Sequence, residues 1–88
     1  MDHKELIKQL GTALPMMGAK NLVADAQTLT FKIGRNVKRV SHIQIMLTPD
    51  DLYNVTALSK ANMETVKGIY ADQLHATLES LTGLYTRL

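Results

Sequence analysis

Apolar and polar residues alternate strictly in the middle of the chain, and this alternation predicts antiparallel β-structure there. Thr28 to Ile33 reads Thr-Leu-Thr-Phe-Lys-Ile, so every second side chain falls on the same face of an extended backbone. Val40 to Thr48 is a second predicted strand, with Ile43, Ile45 and Leu47 on the inward face and His42, Gln44 and Met46 on the outward face. Gly34 to Arg39 is short and mostly polar, which is typical of a hairpin loop joining two strands.

A third strand and two less regular segments extend this pattern. Thr48-Pro49-Asp50-Asp51 predicts a turn, because proline presets φ and aspartate bonds the local backbone. Leu52 to Ser59 then returns as a third strand, and Lys20 to Asp25 is a candidate short edge strand. Met63 to Lys67 has two alternatives, a fourth strand or the first part of the following helix. Gly68 favours the strand, because a glycine there predicts a break before the helix.

Amphipathic helices are predicted at the two ends of the chain. Asp2 to Leu14 has apolar residues at helical spacing and begins with an Asp-x-x-Glu capping pattern, and Pro15 predicts its end. Ile69 to Thr82 is the second helix, and Gly83 suits the left-handed conformation that commonly follows a helix. The apolar stripe of this second helix consists of Tyr70, Leu74, Leu78 and Leu81.

These elements predict an α+β fold. The chain has an N-terminal helix, an antiparallel three- to four-stranded meander and a C-terminal helix, with both helices on one sheet face. That face carries Leu29, Phe31 and Ile43, and the other face carries polar residues and Met46. Because 88 residues suffice for one small core only, residues 1–88 are expected to form a single domain.

Composition excludes several classes of protein. The chain has no cysteine, which rules out a disulfide, a thiolate zinc site and a thiol nucleophile. Its first residues are charged rather than apolar, so no signal peptide is predicted, and no apolar run is long enough for a membrane span. We therefore expect a cytoplasmic protein. Its net charge of +2 is too small to indicate a partner by itself.

The distribution of charge is more informative than the net value. No acidic residue occurs from Gln27 to Pro49, whereas four cations fall within the eight residues from Lys32 to Arg39. A hairpin presenting such cations can contact phosphates. The alternative is a solvated loop whose charges prevent edge-to-edge association. The candidate contact residues are Lys32, Arg35, Asn36, Lys38 and Arg39.

No residue pattern indicates catalysis, a metal or a cofactor. The three histidines, His3, His42 and His75, are far apart, and the pair of Asp72 and His75 at helical spacing is more typical of a hydrogen bond on a helix surface than of a metal site. No serine lies in a Gly-x-Ser-x-Gly setting, and no glycine-rich phosphate loop is present. We therefore expect a protein that is not an enzyme.

A series of short stretches resembles a group of small uncharacterised proteins of phages, prophages and other bacterial mobile elements. Its most specific parts are Gly68-Ile69-Tyr70-Ala71-Asp72-Gln73-Leu74 and Thr82-Gly83-Leu84-Tyr85-Thr86, and the resemblance covers about residues 18 to 88. It implies a bacterial or phage origin and a compact α+β fold, and it supplies no functional residue. The chain departs from the group at Ser59-Lys60, where the group has an Arg-Gly pair.

Taken together, these features indicate an accessory protein that acts by binding. The expected partner is another protein or a second copy, and the alternative is non-specific nucleic-acid binding through the Lys32 to Arg39 hairpin. Met16-Met17 and the apolar tail of Leu84, Tyr85 and Leu88 either complete the small core or contribute to an interface.

Overall fold

Five antiparallel strands form one sheet in which sequence neighbours are also neighbours in space. The computed structural model describes residues 3–11, 13–60 and 62–84, and of residues 3–5 the backbone only. The predicted α+β class and antiparallel meander are confirmed, and the meander has five strands instead of three to four because Lys20–Ala24 and Met63–Ile69 both pair with it. The strands are β1 (Lys20–Ala24), β2 (Thr28–Lys32), β3 (Val40–Leu47), β4 (Tyr53–Ser59) and β5 (Met63–Ile69).

The N-terminal helix is shorter than the sequence predicts. The helix α1 (His3–Leu10) ends before Gly11, which has a left-handed φ of 48°. A separate short helix, α2 (Ala13–Met16), follows. Pro15 lies within α2 instead of stopping the helix before it. Proline is tolerated there because the first N–H groups of a helix have no intrahelical partner. The predicted cap, Asp2 with the side chain of Glu5, lies outside the described residues.

Both helical ends of the chain pack on the same face of the sheet, as predicted. The buried face of the strands includes Phe31, Ile43 and Val55, each 1% exposed or less. One core cluster joins these strand residues to residues of the helices and of the turn after α2, which are Leu6, Leu10, Ala13, Met17, Leu74, Leu78 and Leu81. Polar contacts also link the two ends, because Nε2 of His75 donates to the Gln9 carbonyl at 3.1 Å.

The boundary between sheet and C-terminal helix differs from the prediction. Gly68 does not break the chain before a helix but forms a bulge within β5, with φ at 69° and its N–H donating to Asn54 Oδ1. Ile69 is therefore the buried last residue of β5, opposite Tyr53. Tyr70, predicted on the buried stripe, is 61% exposed. The helix begins after one 3₁₀ turn (Ala71–Gln73) as α3 (Leu74–Thr82).

The end of α3 follows the prediction. Gly83 is left-handed, with φ at 76°, and its N–H donates to the Glu79 carbonyl at 2.8 Å. Thr82 is fully buried and donates its hydroxyl to the Leu78 carbonyl at 2.7 Å. Leu84 packs half-buried against the core, whereas Tyr85 and Leu88 of the predicted tail lie outside the described residues.

Candidate binding surfaces

The loop between β2 and β3 is held in shape by the side chain of Asn36. Its Nδ2 donates to the carbonyls of Gly34 and Val40 at 2.9 and 2.8 Å, and its Oδ1 accepts the Val40 N–H at 3.0 Å. The side chain is half-buried, and its hydrogen-bonding groups are engaged within the loop. Asn36, predicted as a contact residue, therefore supports the loop instead of offering a free amide to a ligand.

The four predicted cations around this loop are exposed. Lys32 ends β2, and Arg35, Lys38 and Arg39 lie in the loop itself. Arg39 has a positive φ of 58°, a conformation uncommon outside glycine, and its N–H donates to the Asn36 carbonyl at 3.1 Å. The loop therefore presents its charges to solvent in a hydrogen-bonded conformation.

The meander brings two further cations to the same end of the sheet. In an antiparallel meander, alternate connections lie at the same end. Lys60, in the connection between β4 and β5, is thus placed beside the β2–β3 loop, and Lys20 lies directly opposite Lys32. We call this group of six the basic end. It consists of Lys20, Lys32, Arg35, Lys38, Arg39 and Lys60.

Acidic residues collect at the opposite end of the sheet. Asp25 lies between β1 and β2, Asp50 and Asp51 lie between β3 and β4, and Asp72 lies in the 3₁₀ turn after β5. Two described acidic residues are exceptions. Glu64, near the start of β5, lies towards the basic end, and Glu79 lies within α3. The topology thus separates charges that are interleaved along the sequence.

A cleft of about 500 Å³ opens at the basic end. None of its described lining residues is a carboxylate; they are Lys38, Arg39, Ser41, Ser59 and Lys60. The two hydroxyls already donate to backbone carbonyls, Ser41 to Leu58 and Ser59 to Asn62, each at 3.1 Å. A smaller neighbouring cavity of about 180 Å³ shares Lys38 and Ser59 and also includes Glu64. The larger cleft is consequently the more cationic of the two.

The second candidate surface is the edge of the sheet formed by β1. All five of its residues are exposed, and Leu22 and Val23 expose 44% and 58% of their surface. Its pairing with β2 is irregular between Lys20 and Val23, where Asn21 has a φ of 55°. Val23 and Ala24 then pair in register with β2. An uncharged stretch of edge strand therefore faces solvent.

The remaining sequence candidates lie elsewhere. Met17 is buried in the core, and Met16 remains 38% exposed. Nδ1 of His42 lies 2.9 Å from the Ser41 hydroxyl. Within the described residues, no group of three or more histidine, aspartate or glutamate side chains could hold a metal ion. None of the described helices has the length and apolar character needed to cross a membrane.

The chain has no significant match among protein-family models, curated proteins or solved structures. Its class therefore rests on the fold described above: a small α+β domain with a five-stranded antiparallel meander, helices on one sheet face and an open edge strand.

Sequence reasoning found four of the six cations and missed Lys20 and Lys60. A weak signal was present, because Lys60 follows the third predicted strand and therefore lies at the same end of a meander as the β2–β3 loop. The pairing of Lys20 with Lys32 had no such signal, since it depends on the register of an edge strand that contains a bulge.

Proposed function

We propose that this chain is a small accessory protein of a phage or other mobile element that acts in the cytoplasm by binding, not by catalysis. Its partner is another protein, which adds an extended segment to the open edge of β1. The observation that supports this most is the exposed, uncharged stretch from Leu22 to Ala24 at the sheet edge.

Strand addition suits this edge for a physical reason. An edge strand has unpaired N–H and C=O groups, and a partner segment can satisfy them while its side chains contact apolar neighbours. Leu22 and Val23 supply such neighbours. Both edge strands contain a bulge, and they differ in charge. The opposite edge, β5, is less suitable because Glu64 and Lys67 lie along its length, whereas the charge of β1 is confined to its first residue, Lys20.

A matched pair of variants tests this proposal. Val23 and Thr65 are both exposed and lie in one cross-strand row of the uncovered sheet face, at its two edges. We expect Val23→Lys to abolish capture of a specific partner from host lysate, whereas Thr65→Lys, with the same added charge, retains it. In the captured complex, the amides of residues 20–24 should gain protection from hydrogen exchange. Equal capture by the two variants, or no added protection in β1, would contradict strand addition at this edge.

A further inference from the structure

We infer that the basic end is a second, separate binding site, and that its ligand is the phosphate backbone of double-stranded nucleic acid, bound without sequence preference. Its centre is the cleft between Lys38, Arg39 and Lys60. Its cleft lies away from the Leu22 to Ala24 stretch proposed for strand addition, Lys20 is the one residue of β1 that belongs to the basic end, and binding there does not depend on strand addition.

The convergence of cations from separate connections carries this inference. The β2–β3 loop supplies Lys38 and Arg39, and the β4–β5 connection supplies Lys60, so the shared cleft exists only in the folded chain. A cleft lined by one sign of charge focuses the electrostatic field and attracts ligands of the opposite sign. The described lining of the cleft contains no carboxylate, and Glu64 lines only the smaller neighbouring cavity.

The pairing of Lys20 with Lys32 also supports a polyanionic ligand. Like charges directly opposite each other on neighbouring strands destabilise a sheet. The two exposed lysines nevertheless occupy paired positions in β1 and β2. An external polyanion would relieve this repulsion by neutralising both charges.

The side chains of the cleft define the kind of recognition. Arginine can contact a phosphate through two parallel N–H donors, and lysine acts as a point charge. The hydroxyls of Ser41 and Ser59 already donate to backbone carbonyls, so the cations carry the contact. Binding that rests on cations alone is electrostatic and independent of sequence.

The surroundings of the cleft favour a duplex over a single strand. Proteins that hold single strands without sequence preference stack bases on aromatic side chains. None of the described residues lining the cleft or the β2–β3 loop is aromatic. Cations alone can bind the phosphate backbone of a duplex, in which the bases are already stacked on each other.

Fluorescence anisotropy with a labelled duplex of mixed sequence tests the site. If four of the six cations of the basic end each neutralise one phosphate, the affinity of the unmodified protein should fall about 150-fold as salt rises from about 50 to 200 mM. Lys60→Gln removes one contact, so its affinity should fall only about 40-fold over the same range. Lys67→Gln removes the same charge from β5 outside the cleft and should leave the salt dependence unchanged. Circular dichroism confirms that each variant is folded.

Several outcomes would overturn this inference. These are absence of duplex binding at low salt, binding that salt does not weaken, or equal effects of Lys60→Gln and Lys67→Gln. Tighter binding to anionic lipid vesicles or to polyglutamate than to the duplex would assign the site to a different ligand. None of these results bears on strand addition, which the Val23→Lys and Thr65→Lys pair tests separately.

Discussion

At the scale of single residues, Asn36 shows how a polar side chain in a basic loop can be structural. Both polar atoms of its amide bond to the backbone of its own loop, with distances from 2.8 to 3.0 Å. The neighbouring cations have no comparable role in the described loop geometry, and their side chains extend into solvent. Asn36 therefore stabilises the loop backbone, and the exposed cations are available to contact a ligand.

Replacing Asn36 by aspartate should therefore destabilise the fold. The change keeps the shape of the side chain but turns the donor Nδ2 into an oxygen that faces the carbonyls of Gly34 and Val40. We expect a loss of about 1–3 kcal/mol in the free energy of unfolding. Urea denaturation measures it, and Asn62→Asp is the matched control. Asn62 is exposed, and its Oδ1 only accepts the N–H of Met63, which a carboxylate can also do. Equal stability of the two variants would contradict the role of the Asn36 amide.

The sequence predicted the loop but not the function of Asn36 within it. The alternation on either side of the loop depends on local residue order, and the structure confirms the two strands it indicates. The hydrogen bonds of Asn36 depend on the conformation of the loop backbone, for which its residue types give no specific signal. Asparagine next to arginine and lysine is equally typical of a phosphate-contacting loop.

At the scale of elements, the errors occur where tertiary contacts override local patterns. Tyr70 and Leu74 have helical spacing, which extended the predicted helix too far towards the N-terminus. The bulge at Gly68 is stabilised by Asn54 on the neighbouring strand, a contact between residues 14 positions apart. The central strands and the end of α3 were predictable, because alternation and a terminal glycine are local signals.

The contact between the end of α3 and the β2–β3 loop gives an element-scale prediction. A Cβ atom on Gly83 would lie 2.7 Å from Cγ2 of Val37, and Gly83 is left-handed. Gly83→Ala should therefore lower the free energy of unfolding through backbone strain of about 1–2 kcal/mol, with the steric contact added. Thermal or urea denaturation measures this loss.

A double-mutant cycle separates the two contributions. Val37 is 84% exposed, so Val37→Ala alone should change stability by less than about 0.5 kcal/mol. The double variant should regain the steric part, about 0.5–1 kcal/mol, and retain the backbone part. Strict additivity of the two single changes would mean that Val37 rotates away freely and that the loop and helix end are not coupled.

At the scale of the whole molecule, the meander arranges charge along the direction of its strands. The β2–β3 and β4–β5 connections carry cations, and the other two strand connections carry Asp25, Asp50 and Asp51. This separation of charge arises because alternate connections of an antiparallel meander lie at the same end of the sheet. The sequence identified a basic loop but not a basic end, because the segment after Lys60 had two alternatives and the position of Lys20 depends on the register of β1.

The Lys32→Glu variant tests two statements about the basic end: that its like charges lower stability, and that it binds a nucleic-acid duplex. The substitution turns the like-charged pair of Lys20 and Lys32 into an opposite-charged one, so the free energy of unfolding should rise by about 0.2–1 kcal/mol at low salt. Duplex affinity should fall in the same variant, because a phosphate contact is replaced by repulsion. Lys67→Glu makes the same charge change outside the basic end and should produce neither effect. Denaturation and anisotropy on the two proteins give the comparison. A basic end that serves only to keep sheet edges apart would give higher stability without any change in duplex binding, whereas a binding site maintained at the expense of stability gives both changes together.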